Sequence, residues 1–226
     1  MTFAELDFAS ILLRSAVYVA TIATAGGVLF YATVRGAGEV SGAIRRQMWL
    51  GTLLLLAVEP LRYLQFQLAI SGGVWEVAFV PSMRWMAFET PIGQAAVVRI
   101  AAAVTILLAG LRLWPIALAA ALAMVGSFAL EGHTASHEGD GWLPGALIVV
   151  HLAMVHWWLG ALYPLRAATL VVGDSNIRDL VERFGKLALV AVAVLTAAGA
   201  LLMAMLAGWQ VDLSRNHQVA LVAKLA

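Results

Sequence analysis

The chain has 226 residues, of which 62% are hydrophobic and 12% charged, and its formal net charge is +1. The 14 Lys and Arg residues are scattered, which excludes the concentrated basic face that a nucleic-acid partner requires. The chain has no cysteine, so disulfides, thiolate metal sites and iron–sulfur clusters are excluded as well. Several apolar runs are long enough to cross a hydrocarbon core of about 30 Å, which predicts an integral membrane protein.

The spacing of the apolar runs predicts an all-α, polytopic transmembrane helical bundle that forms a single domain over residues 1–226. Strand-like alternation of apolar and polar residues is missing from the sequence, so helices are expected to satisfy the backbone in lipid. Six full spans are predicted, at about 9–34, 48–70, 91–111, 115–130, 144–165 and 187–207, followed by a short apolar C-terminal segment. The stretch between the second and third helices, with Trp75 and Trp85, is predicted to be a loop.

The distribution of basic residues predicts the orientation, because Lys and Arg accumulate in cytoplasmic loops. The loops after the first, third and fifth helices carry most of them: Arg35, Arg45, Arg46, Arg112, Arg166, Arg178, Arg183 and Lys186. The N-terminus is therefore expected outside, and so is the loop 131–142.

Four of the five histidines fall between Glu131 and Trp158. Two of them, His133 and His137, are four residues apart. If the fourth helix continues through Gly132, their imidazoles lie about 40° apart around its axis and can bind one metal ion. Glu138 and Asp140 of the same loop, together with Glu131, would raise the local cation concentration as accessory residues. The alternative is a solvated polar loop with two ordinary histidines.

His151 is the most informative residue of this stretch, because it is expected about 10 Å below the outer end of the fifth helix. Met154 and Trp158 lie on the same helical face. An imidazole beside a thioether suits copper better than calcium or magnesium, which prefer oxygen ligands. The alternative is a core histidine that is hydrogen-bonded to a neighbouring helix. His156 lies about 140° away from His151 around the helix and is assigned to packing or to a supporting contact around the metal ligands.

Ionisable residues also occur inside other predicted spans, where they are candidates for function by default. Glu59 and Arg62 are three residues apart and are expected to pair, with Arg99 and Arg14 in the same group. A structural ion-pair network that fixes helix packing is an equally good interpretation. Met83 and Met86, near the outer surface, are accessory candidates for Cu(I), although interfacial packing is the simpler interpretation.

The order of these features resembles the copper resistance protein D (CopD) family of bacterial inner-membrane proteins. The similar segments are TPIGQAAVVRI, EGH, HLAMVHWWLGAL and RFGKLALVAVAVLTAAGALLMA, and the resemblance covers about 90–224. The residues that match the family pattern are Gly93 with Arg99, Gly132 with His133, and His151 with Trp158 and Gly160. His156 stands where the family usually has a small apolar residue.

The resemblance implies copper handling at the bacterial inner membrane, with copper moving from periplasm to cytoplasm beside a small periplasmic copper-binding partner. The metal residues would be His133 and His151, which match the family pattern, together with His137 and Met154, which their spacing adds. An enzyme is not expected, because the sequence has no phosphate-binding glycine loop, nucleophile elbow or HExxH motif. The alternative from another class is a membrane redox protein that holds haem b with bundle histidines as axial ligands. A scaffold whose histidines serve only packing is the third possibility.

Overall fold

The computed structural model describes residues 3–34, 36–131, 142–171 and 174–206, and all regular structure among them is helical. The predicted all-α class is therefore confirmed. The α-helices are α1 (Phe3–Thr21), α2 (Gly27–Thr33), α3 (Ser41–Ile70), α4 (Trp75–Ala78), α5 (Pro81–Glu89), α6 (Pro91–Ala109), α7 (Trp114–Gly126), α8 (Leu143–Val171) and α9 (Asp174–Leu206). A π-helical turn, Ile22–Gly26, joins α1 to α2, and two 3-10 turns, Ala37–Val40 and Ser127–Leu130, precede α3 and follow α7.

Five helical stretches of the described residues are long and apolar enough to cross a membrane, consistent with a multi-pass membrane protein. They are Phe8–Thr33, Ala37–Ile70, Pro91–Ala109, Leu143–Leu170 and Asn176–Met205. The predicted fourth span forms as α7 and its 3-10 turn, Trp114–Leu130, which is shorter than the about 20 residues of a typical crossing.

The structure differs from the sequence prediction in the connection between α3 and α6 and at the ends of two helices. The stretch between α3 and α6 is not a simple loop, because it contains α4 and α5, and α5 starts with Pro81 at a first-turn position where its missing N–H costs nothing. Helix α3 begins at Ser41, before the predicted start, and α8 continues to Val171. Hydropathy marks where a helix enters lipid, whereas backbone hydrogen bonding continues into polar residues beyond it.

The bundle is centred on α8, which packs against α9, α2 and the π-helical turn, while α3 packs against α1 and α6. At the closest crossing Gly26 meets Gly160: a Cβ on either glycine would collide with backbone atoms of the other helix. Gln47 of α3 closes the crossing from one side. Its side-chain amide donates to the carbonyls of Ala23, at 3.2 Å, and Gly160, at 3.0 Å. The amide thus bonds to a carbonyl in the π-helical turn, where the regular helix pattern is interrupted.

The helical structure that follows α7 ends just before the predicted loop 131–142. The 3-10 turn ends at Leu130, and Glu131 adopts extended backbone with φ −111° and ψ 149°. The helical continuity on which the 40° spacing of His133 and His137 depended is therefore not present at Glu131. Those two histidines themselves lie outside the described residues.

Candidate functional site

His151 lies in α8 with its ring turned toward α9. Its Nδ1 is 3.2 Å from the backbone carbonyl oxygen of Leu195. Because a carbonyl oxygen only accepts hydrogen bonds, Nδ1 is the donor in this contact, and the neutral form of such a ring carries its lone pair on Nε2. No hydrogen-bond partner of Nε2 is present among the described residues, and the side chain is half-buried. A neutral imidazole oriented by a carbonyl at one nitrogen and open at the other is the arrangement that metal-binding histidines use.

The residue of α9 that faces His151 is a glycine, Gly199. A Cβ on Gly199 would lie 3.4 Å from both Cε1 and Nδ1 of the ring, so the imidazole rests directly against this glycine. Met154 is half-buried and packs against the core, and its place in the unbroken α8 keeps it one turn from His151. Trp158, on the same side of α8, is 40% exposed. The structure therefore brings an open imidazole nitrogen and a thioether to one stretch of α8.

His156 differs from His151 in that both of its ring nitrogens are engaged. Nδ1 is 2.7 Å from the carbonyl oxygen of Leu152, and Nε2 is 3.0 Å from the hydroxyl of Thr21 in α1. The side chain is fully buried, and its ring lies 5.9 Å from that of Phe128. These contacts join α8 to α1, which makes His156 a packing residue of the core.

Four charged residues form a cluster inside the bundle, and we call it the charged cluster: Glu59, Arg62, Arg99 and Glu131. Arg62 donates to Glu59 at 3.2 Å, so the pairing expected from their spacing is confirmed. Arg99, which is completely buried, donates through Nε and Nη2 to Oε1 of Glu59. Its Nη1 donates to the hydroxyl of Ser127 at 3.2 Å, and its guanidinium lies 5.0 Å from the centre of the Phe128 ring.

Glu131 completes the charged cluster from the end of the 3-10 turn. Its two carboxylate oxygens accept from Nη1 and Nη2 of Arg62, at 3.0 and 2.8 Å, and from Nη2 of Arg99, at 2.7 Å. With two Arg and two Glu the cluster is formally neutral, which is how buried charges are tolerated in a membrane domain. Sequence reasoning placed Glu131 in the outer loop as a cation attractor, whereas its carboxylate is engaged by two arginines.

Three residues of the predicted groups, Arg14, Met83 and Met86, stay outside this cluster. Arg14 is exposed on α1 and takes no part in the charged cluster. Met83 and Met86 lie three residues apart on α5, half-buried, and α5 is tied to α3 because Tyr63 and Gln67 both donate to the carbonyl of Met83, at 3.2 and 2.8 Å. The methionines therefore sit on an anchored helix rather than on a loop.

Three of the interactions involve residues that the sequence did not single out: Ser127, Thr21 and Phe128. Each is a common residue in an apolar helix, and its partner lies at least 28 positions away in the chain. Glu59 and Arg99 carried a sequence signal because a charge within an apolar span needs a partner. The sequence did not indicate that Glu131 is their partner, since Glu131 belongs to a polar stretch in which a charge is ordinary.

No group of three or more His, Asp or Glu side chains in the described residues is placed to hold a metal ion together. The predicted outer ligands and attractors His133, His137, Glu138 and Asp140 lie outside those residues. Both histidines in the described part of the chain lie on α8 and face different helices, so they do not form the axial pair that a haem b site would need.

The charged cluster and the predicted outer histidines lie within the part of the chain that matches a family model. The family model of the copper resistance protein D-like, N-terminal domain matches residues 5–146, which is more than half of the chain, and His151 and Met154 lie beyond the match. No curated protein and no solved structure matches the chain. The family match and the apolar helices together identify a copper-related, multi-pass membrane protein. The chain belongs to the copper resistance protein D-like family.

Proposed function

We propose that this protein binds copper at its outer face and passes it inward, toward the cytoplasm, through two stations. The outer station is His133 with His137, and the inner station is His151 with Met154. Glu138 and Asp140 attract the cation to the outer face. The protein acts as a copper-handling membrane protein rather than an enzyme, and a small periplasmic copper-binding protein delivers the metal.

The observation that carries this proposal is the state of His151. A histidine within a membrane helix has to find a partner, and His151 finds one at Nδ1 only. The open Nε2 and the thioether of Met154, three residues further along α8, would supply a donor set that suits copper, because imidazole and thioether are ligands that this metal accepts. The membership of the chain in a copper resistance family supports copper over other soft metals.

The direction of passage depends on the orientation. Basic residues concentrated after the first, third and fifth predicted helices support an outside N-terminus, and with six crossings the loop 131–142 faces the periplasm. A bacterial inner membrane is the setting that this proposal requires. No observation among the described residues favours the haem alternative.

The test is copper binding by the purified protein and by His133→Ala and His151→Ala variants. We expect each variant to lose one station, seen as reduced copper stoichiometry by metal analysis and as weaker binding in competition with a chelator. The matched control is His156→Gln, which changes a histidine of the same helix and should retain the full stoichiometry, because both nitrogens of His156 are used within the core. Wild-type stoichiometry and affinity in both alanine variants would refute the two-station proposal.

A further inference from the structure

A methionine of α9, Met203, follows by four residues the glycine on which the imidazole of His151 rests. We propose that Met203 is a third ligand of the inner station, and that this station therefore takes Cu(I) rather than Cu(II). The inference rests on the proposed function, since it completes the donor set that His151 and Met154 begin.

The contacts of His151 define which turn of α9 lies beside its ring. Its Nδ1 is 3.2 Å from the carbonyl oxygen of Leu195, and a Cβ on Gly199 would lie 3.4 Å from Cε1 and Nδ1 of the ring. Leu195 and Gly199 are four residues apart, so the imidazole lies along a single turn of α9. Met203 continues the same row of residues, one turn further along the helix.

Met203 is half-buried, and it lies about 6 Å along α9 from Gly199 and about 40° around the helix axis. Side chains of an α-helix lean toward its N-terminus, so Met203 leans toward the turn that contains Gly199. Because glycine has no side chain, the surface of that turn is left to the imidazole and to Met203. The methionine side chain has three rotatable bonds, which allow its sulfur to follow a metal ion held on the ring.

Met154 reaches the same place from α8. It lies three residues after His151 and three residues before Trp157, and both of these neighbours contact α9. Trp157 stacks on Phe184 of α9, with 5.1 Å between the ring centroids. Met154 therefore belongs to the side of α8 that faces α9, and its side chain leans toward the N-terminus of α8, which is the direction of His151. One imidazole and two thioethers are thus directed toward one place at the α8–α9 contact.

The charge of the surroundings selects the oxidation state of the metal. Neither α8 between Leu143 and Leu165 nor α9 between Leu187 and Leu206 contains Asp, Glu, Lys or Arg. All three donors are neutral, so bound Cu(II) brings twice the uncompensated charge of Cu(I), and such charge is costly within a membrane domain. Thioethers also select Cu(I), whereas Cu(II) prefers nitrogen and oxygen ligands. Both effects favour Cu(I).

The experiment measures copper affinity by chelator competition on the full chain, in a His133→Ala background so that bound copper reports on the inner station. We expect Met203→Leu to weaken Cu(I) binding by about tenfold or more, since even residues that only orient metal ligands have effects of this size. Cu(II) should bind more weakly than Cu(I) and should be insensitive to the substitution. X-ray absorption at the copper edge should show that the metal loses one of its sulfur neighbours in Met203→Leu.

Met205→Leu is the matched control. Met205 is half-buried on the same helix, but it lies about 160° around the axis from Met203, away from the row of residues that meets His151. Exchange of Met for Leu nearly conserves volume, so both variants are expected to fold. Met205→Leu should keep the Cu(I) affinity and the sulfur neighbours of the parent protein.

Unchanged Cu(I) affinity or unchanged sulfur neighbours in Met203→Leu would overturn the inference. Equal weakening in both methionine variants, or Cu(II) binding as tight as that of Cu(I), would overturn it as well. Absence of His151-dependent copper binding in the His133→Ala protein would instead refute the inner station of the proposed function. One series of measurements therefore tells the two failures apart.

Discussion

His156 in the core and His151 at the contact between α8 and α9 differ in their hydrogen bonding, although they are only five residues apart on one helix. In the core, His156 has both nitrogens bonded and no exposed surface. At the α8–α9 contact, His151 is bonded at Nδ1 alone. A polar side chain whose bonds are all made within the protein stabilises the fold, whereas one with an open donor atom is available to a ligand.

The charged cluster resembles His156 rather than His151, because nearly all polar side-chain atoms of the cluster are hydrogen-bonded. The exception is Oε2 of Glu59, which is buried and has no hydrogen-bond partner among the described residues. Its other oxygen accepts from both arginines. Three variants test the contrast between core and α8–α9 contact.

Removing Arg99 should have the largest effect on stability. In Arg99→Met the fully buried Glu59 loses its closest partner, and the charged cluster keeps one arginine for two carboxylates. Removing one partner of a buried ion pair costs about 3–5 kcal/mol. The loss is measured as a lower free energy of unfolding in detergent. The double variant Arg99→Met with Glu59→Leu should recover part of it, since the excess negative charge is then absent. If the double variant is less stable than Arg99→Met, Glu59 is not the source of the cost.

Replacing His156 should have an intermediate effect. In His156→Leu the hydroxyl of Thr21 loses its imidazole partner, and loss of one partner from a buried hydrogen bond costs about 1–3 kcal/mol. Copper stoichiometry should stay at the wild-type value. A variant that keeps its stability but loses copper would place His156 among the ligands and reverse the comparison.

Replacing His151 should have the smallest effect on stability and the largest on copper. His151→Leu loses one hydrogen bond, to the backbone carbonyl oxygen of Leu195 in α9. Loss of this bond costs about 1 kcal/mol. The inner station should disappear in metal analysis of the same sample. A destabilisation as large as that of His156→Leu, with copper retained, would make His151 a second packing residue.

The sequence predicted the helical class and most helix positions, because long apolar runs in lipid leave few alternatives. It missed α4 and α5, since helices as short as these lack a full apolar span. Glu59 with Arg62 was predictable from their spacing of three. The bonds from Arg62 and Arg99 to Glu131 were not, because they join residues 69 and 32 positions apart, and no local pattern records such a distance.

The same reasoning explains the histidines. Helical spacing separates His151 from His156 in sequence, but it does not say which helix each one meets. His151 meets Leu195 of α9 and His156 meets Thr21 of α1. These contacts depend on how α9 and α1 pack around α8.

The crossing of Gly26 and Gly160 has a consequence for depth. Because the two backbones touch there, α8 has no freedom to slide along its axis against the π-helical turn. His151 lies nine residues from Gly160, or about 13 Å along the helix. The position of the imidazole along the bundle is therefore set by a pair of glycines more than two helical turns away, and a side chain at either glycine would move the histidine without touching it.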